Sequence, residues 1–222
     1  MIKWRHITLI LLISFSSSRS FIAQTQLKSS LNSSSLELNL SEEINKVLEI
    51  TGIPSISVAL IKEDSIVFAD SFGYANVKKK VKATRNTIYS TGSNFKFVTA
   101  TAIMQLAEKG SLKIDDPVND YLGESKIKDL SEKGKPVSFR HLLSHHSGLA
   151  GPIEIVPLWE RRLPRTLDEV AAVISSEEEP GTSYQYCNHC YGLAGLLIEK
   201  ISKKSYQDYL VEHILNPLQI KS

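Results

Sequence analysis

The stretch 94–109, NFKFVTATAIMQLAEK, constrains the fold more than any other part of this chain. Phe97, Val98, Ala100, Ala102, Ile103, Leu106 and Ala107 recur at helical spacing and leave almost no polar side. A helix that is apolar around most of its circumference belongs in the middle of a domain, so this one is expected to be the most buried element. Gly110 stands where a left-handed C-terminal cap would end it. One residue breaks the pattern: Lys96, in the first turn, is costly there unless it has a role. Ser93 lies three positions earlier, on the same face of the helix start.

The remaining pattern supplies a sheet and more helices. Ile56, Val58 and Leu60 alternate, Glu63-Asp64-Ser65 suits a turn, and Ile66, Val67 and Phe68 begin a second strand, which is an antiparallel hairpin. The central helix is expected to pack on this hairpin (residues 55–74). Ahead of it, Ser41 is positioned to cap a helix with Ile44, Val47 and Leu48 on one face, closed by Gly52 and Pro54. Residues 24–40 are Ser/Asn-rich and read as a flexible lead-in. The later segments SFRHLLSHHSGL, TLDEVAAVISSEE (with Thr166 as cap) and YGLAGLLIEKISKKSYQDYLVEHIL read as helices and loops. Strands first and helices afterwards make the fold class α+β.

Composition and charge exclude several functions. With 42% hydrophobic residues in 222, the chain can bury a core and is not disordered. The formal charge is only +2, and the run Lys78-Lys79-Lys80 reads as a solvated turn, so no nucleic-acid partner is expected. Residues 1–23 have the layout of a secretory signal: Lys3 and Arg5, an apolar run over 7–15, then small polar residues. The apolar run is too short to span a bilayer, so no stable membrane span is expected after signal removal. Loss of residues 1–20 removes three cations and no acid, which leaves −1. The expected location is exported, periplasmic or extracellular. Nothing here sets an oligomeric state.

Ser93 and Lys96 would meet at the helix start. Serine is a poor nucleophile until a base takes its proton. A lysine desolvated in a buried helix has a lowered pKa and offers a neutral amine, and the free N–H groups of the first turn favour an anion beside Ser93. S-x-x-K alone is common, however, and context must carry it. A second cluster follows a Pro180-Gly181 turn: Tyr186 and Asn188, one residue apart, just before a helix. A tyrosine hydroxyl beside a lysine can carry a proton, and an asparagine amide can hold both the lysine and a substrate amide.

Taken together, YSTGSNFK, RHLLSHHSGL and PGTSYQYCN…GLAGLLIEKISKKSYQDYLVEHILNPLQI, in this order, resemble the serine β-lactamase and penicillin-binding-protein superfamily. The likeness runs from about Glu42 to the end and is to the class C β-lactamase, D,D-peptidase and esterase branch. That family's HLLTHTSGL is HLLSHHSGL here, and its PLGM is PLQI. The resemblance implies a β-lactamase/transpeptidase-like fold, an antiparallel sheet with a helical lobe, over 41–222. It implies Ser93 as acylated nucleophile, Lys96 and Tyr186 as base and proton relay, and Asn188 as the substrate-amide contact. The implied function is an exported serine hydrolase acting on an ester, amide or lactam, with a small-molecule or cell-wall peptide substrate and no cofactor. The alternative is a non-catalytic penicillin-recognising or peptidoglycan-binding module, or an inactive fragment.

One family element is missing. The Lys-Thr-Gly or His-x-Gly triplet, on a strand that walls the site and lends an oxyanion-hole N–H, does not follow the PLQI segment. His146-Ser147-Gly148 belongs to the HLLSHHSGL loop and does not qualify. A fragment of a longer enzyme, with C-terminal sheet strands missing, is therefore expected, with apolar surface left uncovered.

Cys187 and Cys190 frame CNHC near His141, His145 and His146, but a second C-x-x-C and the glutamate of H-E-x-x-H are absent, so no metal site is expected. A disulfide is conceivable in an exported chain, but two ordinary loop residues are the favoured reading. Trp159, Arg161 and Arg162 sit in a Pro-rich loop that borders the substrate cleft in the family or is merely surface. No G-x-S-x-G occurs, which disfavours the α/β-hydrolase route.

Overall fold

The computed structural model describes residues 33–62, 64–150, 166–172 and 174–220. The signal segment 1–23, residues 24–32 of the lead-in and the loop with Trp159, Arg161 and Arg162 lie outside the described residues. The chain divides into two compact units, Met1–Thr91 and Gly92–Ser222.

In the first unit, helix α1 (Ser33–Thr51) precedes strands β1 (Ser55–Lys62), β2 (Ser65–Asn76) and β3 (Val81–Lys82), joined as one antiparallel sheet in that order. The hairpin register runs from Ser55 opposite Gly73 to Lys62 opposite Ser65, with a bulge between Leu60 and Ile61. The helix starts at Ser33, not at Ser41. Its core stripe is Leu40, Ile44 and Leu48, spaced four apart, on Ile56, Phe68 and Phe72 of the hairpin, while Val47 faces outward. The Lys78-Lys79-Lys80 turn is exposed, and β3 beyond it adds a short third strand that the alternation did not announce. Gly73 has φ +80°, and a Cβ there would lie 2.3 Å from the Pro54 carbonyl oxygen, which accepts from the Tyr74 N–H.

The second unit is helical. A 3-10 turn (Gly92–Phe95) leads into α2 (Lys96–Glu108), followed by α3 (Phe139–Leu143), β4 (Leu149–Ala150), α4 (Leu167–Ala172), β5 (Ser175–Ser176), α5 (Asn188–Ser202) and α6 (Tyr206–Leu210). The predicted helix over TLDEVAAVISSEE is short: it starts after Thr166 and gives way to β5, whose Ser175 and Ser176 pair with Ala150 and Leu149. α2 ends at Gly110 as expected, with φ +74° and bonds from the Gly110 and Ser111 N–H groups to Ala107 and Leu106.

The burial ranking differs from expectation. α5 buries seven residues, Cys190, Leu193, Ala194, Gly195, Leu196, Leu197 and Ile198, against five on α2: Val98, Thr99, Ala102, Ile103 and Leu106. Phe97 and Met104 on α2 are 64% and 50% exposed. The reason is in the neighbours: α5 packs against α2, α3, α4 and α6, whereas α2 packs against α5, α6 and the turn after α6. A helix that is apolar all round can bury only the sides that meet a partner. Between α2 and α6, Thr99 and Tyr206 share a hydrogen bond of 2.6 Å, and Gln105 of α2 donates to the His213 carbonyl in the turn after α6.

Candidate active site

Ser93 owes its place to a tight turn. Gly92, at φ +52°, opens the 3-10 turn that carries Ser93 and delivers Lys96 as the first residue of α2. Side chains three apart in such a turn eclipse one another, which brings Lys96 Nζ within 3.2 Å of Ser93 Oγ. No side chain caps this helix end, so its electropositive N–H groups keep no side-chain acceptor of their own.

Tyr186 and Asn188 come from the segment that leads into α5. Cys187 is extended (φ −126°, ψ 110°) and Asn188 opens α5. Alternation along an extended step turns Tyr186 and Asn188 outward and Cys187 inward, which is what a Y-x-N spacing requires. The HLLSHHSGL loop fixes this step. Carbonyls of His145 and His146 accept from Gln185 (2.8 Å) and Gly181 (2.7 Å), and His145 Nδ1 accepts from the Cys187 N–H at 3.1 Å. Gly148, φ +64°, lets the loop pass so close that a Cβ would lie 2.2 Å from the Glu178 carbonyl oxygen.

Cys187 and Cys190 are joined in a disulfide, contrary to the expectation of two ordinary loop residues. Both are buried, and Cys187 Sγ accepts from the Cys190 N–H, so the pair caps α5. Bonded to each other, they have no thiolate to offer a metal, and the described residues hold no cluster of potential ligands.

Four groups converge. Lys96 Nζ donates to Asn188 Oδ1 at 2.7 Å and to Ser93 Oγ, and the Tyr186 hydroxyl donates to Ser93 Oγ at 2.8 Å. Because lysine only donates, the Asn188 carbonyl oxygen must face it, which leaves the Asn188 amide N–H groups for another acceptor. The Lys96 ammonium also lies 4.9 Å from the Tyr186 ring centroid and 5.6 Å from that of Tyr191. Lys96, then Ser93, hold the Tyr186 phenol below its ordinary value, against an opposing effect of burial. Ser93, Tyr186 and Asn188 are exposed and Lys96 is half-buried, so the expected enclosure of the lysine is not found. The cause is the exposed flank of α2 beside it.

All four residues singled out from the sequence are thus brought together. The aromatic surround was not anticipated: the His145 ring sits 4.6 Å from Tyr186, 5.3 Å from Tyr191 and 5.8 Å from Tyr184. For Tyr191 a signal existed, since it lies three residues after Asn188 on the same helix.

The arrangement has relatives. The family model described as Beta-lactamase matches residues 40–222. Protein flp of Staphylococcus aureus (strain MW2) is 32% identical over 171 residues, 76% of this chain and 34% of its own length. The octameric penicillin-binding protein homologue from Pyrococcus abyssi superposes with a TM-score of 0.68 at 33% identity, covering 82% of this chain and 42% of that one. FmtA from Staphylococcus aureus gives 0.66 at 26% identity, covering 89% and 54%. The chain spans about a third of the length of the curated relative, and about half or less of these solved structures. Matched over most of its residues and sharing their fold, this chain belongs to the beta-lactamase family.

Proposed function

We propose that this chain is the Ser93-bearing part of an exported serine hydrolase that forms an acyl-enzyme on an ester, amide or lactam. One observation carries this: Ser93 Oγ accepts from both Lys96 Nζ and the Tyr186 hydroxyl. Two donors on one serine oxygen stabilise the negative charge that develops as it attacks. Tyr186, whose phenol Lys96 holds below its ordinary value, first releases its proton to solvent, and the phenolate then takes the Ser93 proton. Lys96, which donates to Ser93 Oγ and to Asn188 Oδ1, keeps these groups in place. Ser93 Oγ then bonds to the carbonyl carbon of the substrate, the bond from that carbon to the leaving group breaks, and the leaving group takes the proton from Tyr186, which returns to the phenolate. The Asn188 amide N–H groups are the donors for a substrate carbonyl.

Family membership supports the serine-hydrolase or penicillin-binding class. A penicillin-recognising module without turnover is the second reading, favoured by the exposure of Ser93, Tyr186 and Asn188. Water has free access to such a site, which weakens each electrostatic contribution. An activated fluorophosphonate or a penicillin probe separates the readings. Covalent labelling that disappears in Ser93→Ala, with release of product, supports the hydrolase. Stable labelling without release supports the module. A folded chain that takes up neither probe sinks both.

A further inference from the structure

We infer that His145 is the positioning residue of this site: its neutral imidazole, accepting from Cys187 and lying against Tyr186, sets the step that aims Tyr186 and Asn188 at Ser93 and Lys96. For its effect on activity the inference rests on the acyl-enzyme reading above; its geometry does not.

The clamp is two-sided. On one side of Tyr186 the His145 carbonyl accepts from the Gln185 N–H, and on the other its Nδ1 accepts from the Cys187 N–H at 3.1 Å. The ring lies 4.6 Å from the Tyr186 ring, centroid to centroid, so backbone and side chain are held together. His145 has φ +61°, a conformation uncommon outside glycine that persists where the surroundings over-determine it.

Only an unprotonated Nδ1 can accept, so the ring is the tautomer with its proton on Nε2. Burial first, then the Lys96 ammonium and His146, keep this imidazole below its ordinary value of 6.5. The titratable groups facing it are Lys96 from α2, Tyr184 and Tyr186 from the segment before α5, Tyr191 from α5, and His146 from its own loop. Protonation would set an Nδ1–H against the Cys187 N–H, donor against donor, and release the step.

The test uses the full chain with His145→Leu, which keeps bulk without an acceptor, and His145→Asn, whose carbonyl oxygen can still accept. Wild-type fluorophosphonate labelling should fall in a step below pH 6.5. His145→Leu should label about ten- to a hundredfold more slowly, as misplacement by an ångström does. His145→Asn should recover most of the rate and lose the acid step. Wild-type rate and an unchanged step in His145→Leu would overturn the assignment. Nitrogen-15 spectra give a readout that needs no reaction: the neutral ring should carry its proton on Nε2, and the Cys187 amide proton should shift with the His145 titration. A chain that never labels sinks the hydrolase reading, and these spectra still decide His145. An Nδ1–H tautomer, or a Cys187 amide indifferent to the titration, would refute it. Should His145→Leu fail to fold, the asparagine variant and the spectra carry the decision.

Discussion

Helix α2 reaches the site through a 3-10 turn with no side-chain cap and with Phe97 and Met104 turned outward. Helix α5 reaches it braced: Cys187 caps it, a disulfide ties Cys187 to Cys190, His145 holds the Cys187 N–H, and seven of its residues are buried. The less supported helix end brings Ser93 and Lys96, and the better supported one brings Tyr186 and Asn188. Uncapped N–H groups are useful where an anion forms, and proton carriers and amide contacts must hold their direction. The difference between the two ends is therefore one of task.

Removing Ser93 or either of the groups that donate to its Oγ, one from each end, should give the largest effect. Ser93→Ala is expected to abolish labelling outright. Tyr186→Phe should slow it by about a hundredfold to ten-thousandfold, the usual worth of a positioned acid or base, and Lys96→Ala, which removes a donor to Ser93 Oγ, by about a hundredfold to a thousandfold. Asn188→Ala removes one hydrogen-bonding group and should cost about tenfold. Rates measured under pseudo-first-order probe check the order. Asn188→Ala falling as far as Lys96→Ala would mean that Asn188 does more than hold the lysine and a substrate amide.

The packing contrast makes the next prediction. Leu197, fully buried on α5, should destabilise the chain by about 2–5 kcal/mol when changed to Ala. Met104→Ala, half-exposed on α2, should cost well under that, about 0.5 kcal/mol. Urea denaturation of both variants measures the gap, and equal losses would show that α2 is as tightly held as α5.

Reducing the Cys187–Cys190 disulfide should have a smaller effect on stability. It closes a very short loop, worth about 2 kcal/mol by chain entropy. Its removal by Cys187→Ser with Cys190→Ser should lower the urea midpoint modestly while labelling of Ser93 slows more than stability alone explains, because Tyr186 and Asn188 flank Cys187. Unchanged labelling would assign the brace to His145 alone.

Which parts were legible in the sequence follows the range of the interactions. Ser93 to Lys96 is one turn and Tyr186 to Asn188 one alternation, so local periodicity places both pairs. The hairpin of β1 and β2 was legible for the same reason. The rank of α2 below α5 was not, because periodicity shows which sides are apolar and not which find a partner. The start of α1 at Ser33 was hidden by a serine run that weakens helix propensity, although Leu40, Ile44 and Leu48 already formed the stripe. His145 was legible only as part of a loop motif; its hold on Cys187 joins residues 42 apart and has no local pattern.

The smallest effect should be on acid stability, and it falls on the α5 side. His141 Nδ1 accepts from the Ser138 N–H in the capping box of α3, and burial is the main cause that lowers its pKa from 6.5. His145 is lowered from the same value. With folded-state values below the unfolded one, the unfolded chain binds more protons as the pH falls through 6.5. Stability should therefore be full above that pH and decline below it, down to the folded-state values. The depressed carboxylates Asp115, Asp116, Asp168 and Glu212 have ordinary values of 3.8 to 4.5, so their loss belongs to a lower window and does not mask the first. Urea midpoints taken from about pH 8 down to 5 should show a shallow decline that His141→Asn makes shallower. The α2 end has no histidine to titrate, so protection against hydrogen exchange over this range should fall first at the amides of 185–190 and hold at 96–106. Simultaneous opening of both stretches would mean that the braced and unbraced ends share one cooperative unit, and the contrast drawn between them would fail.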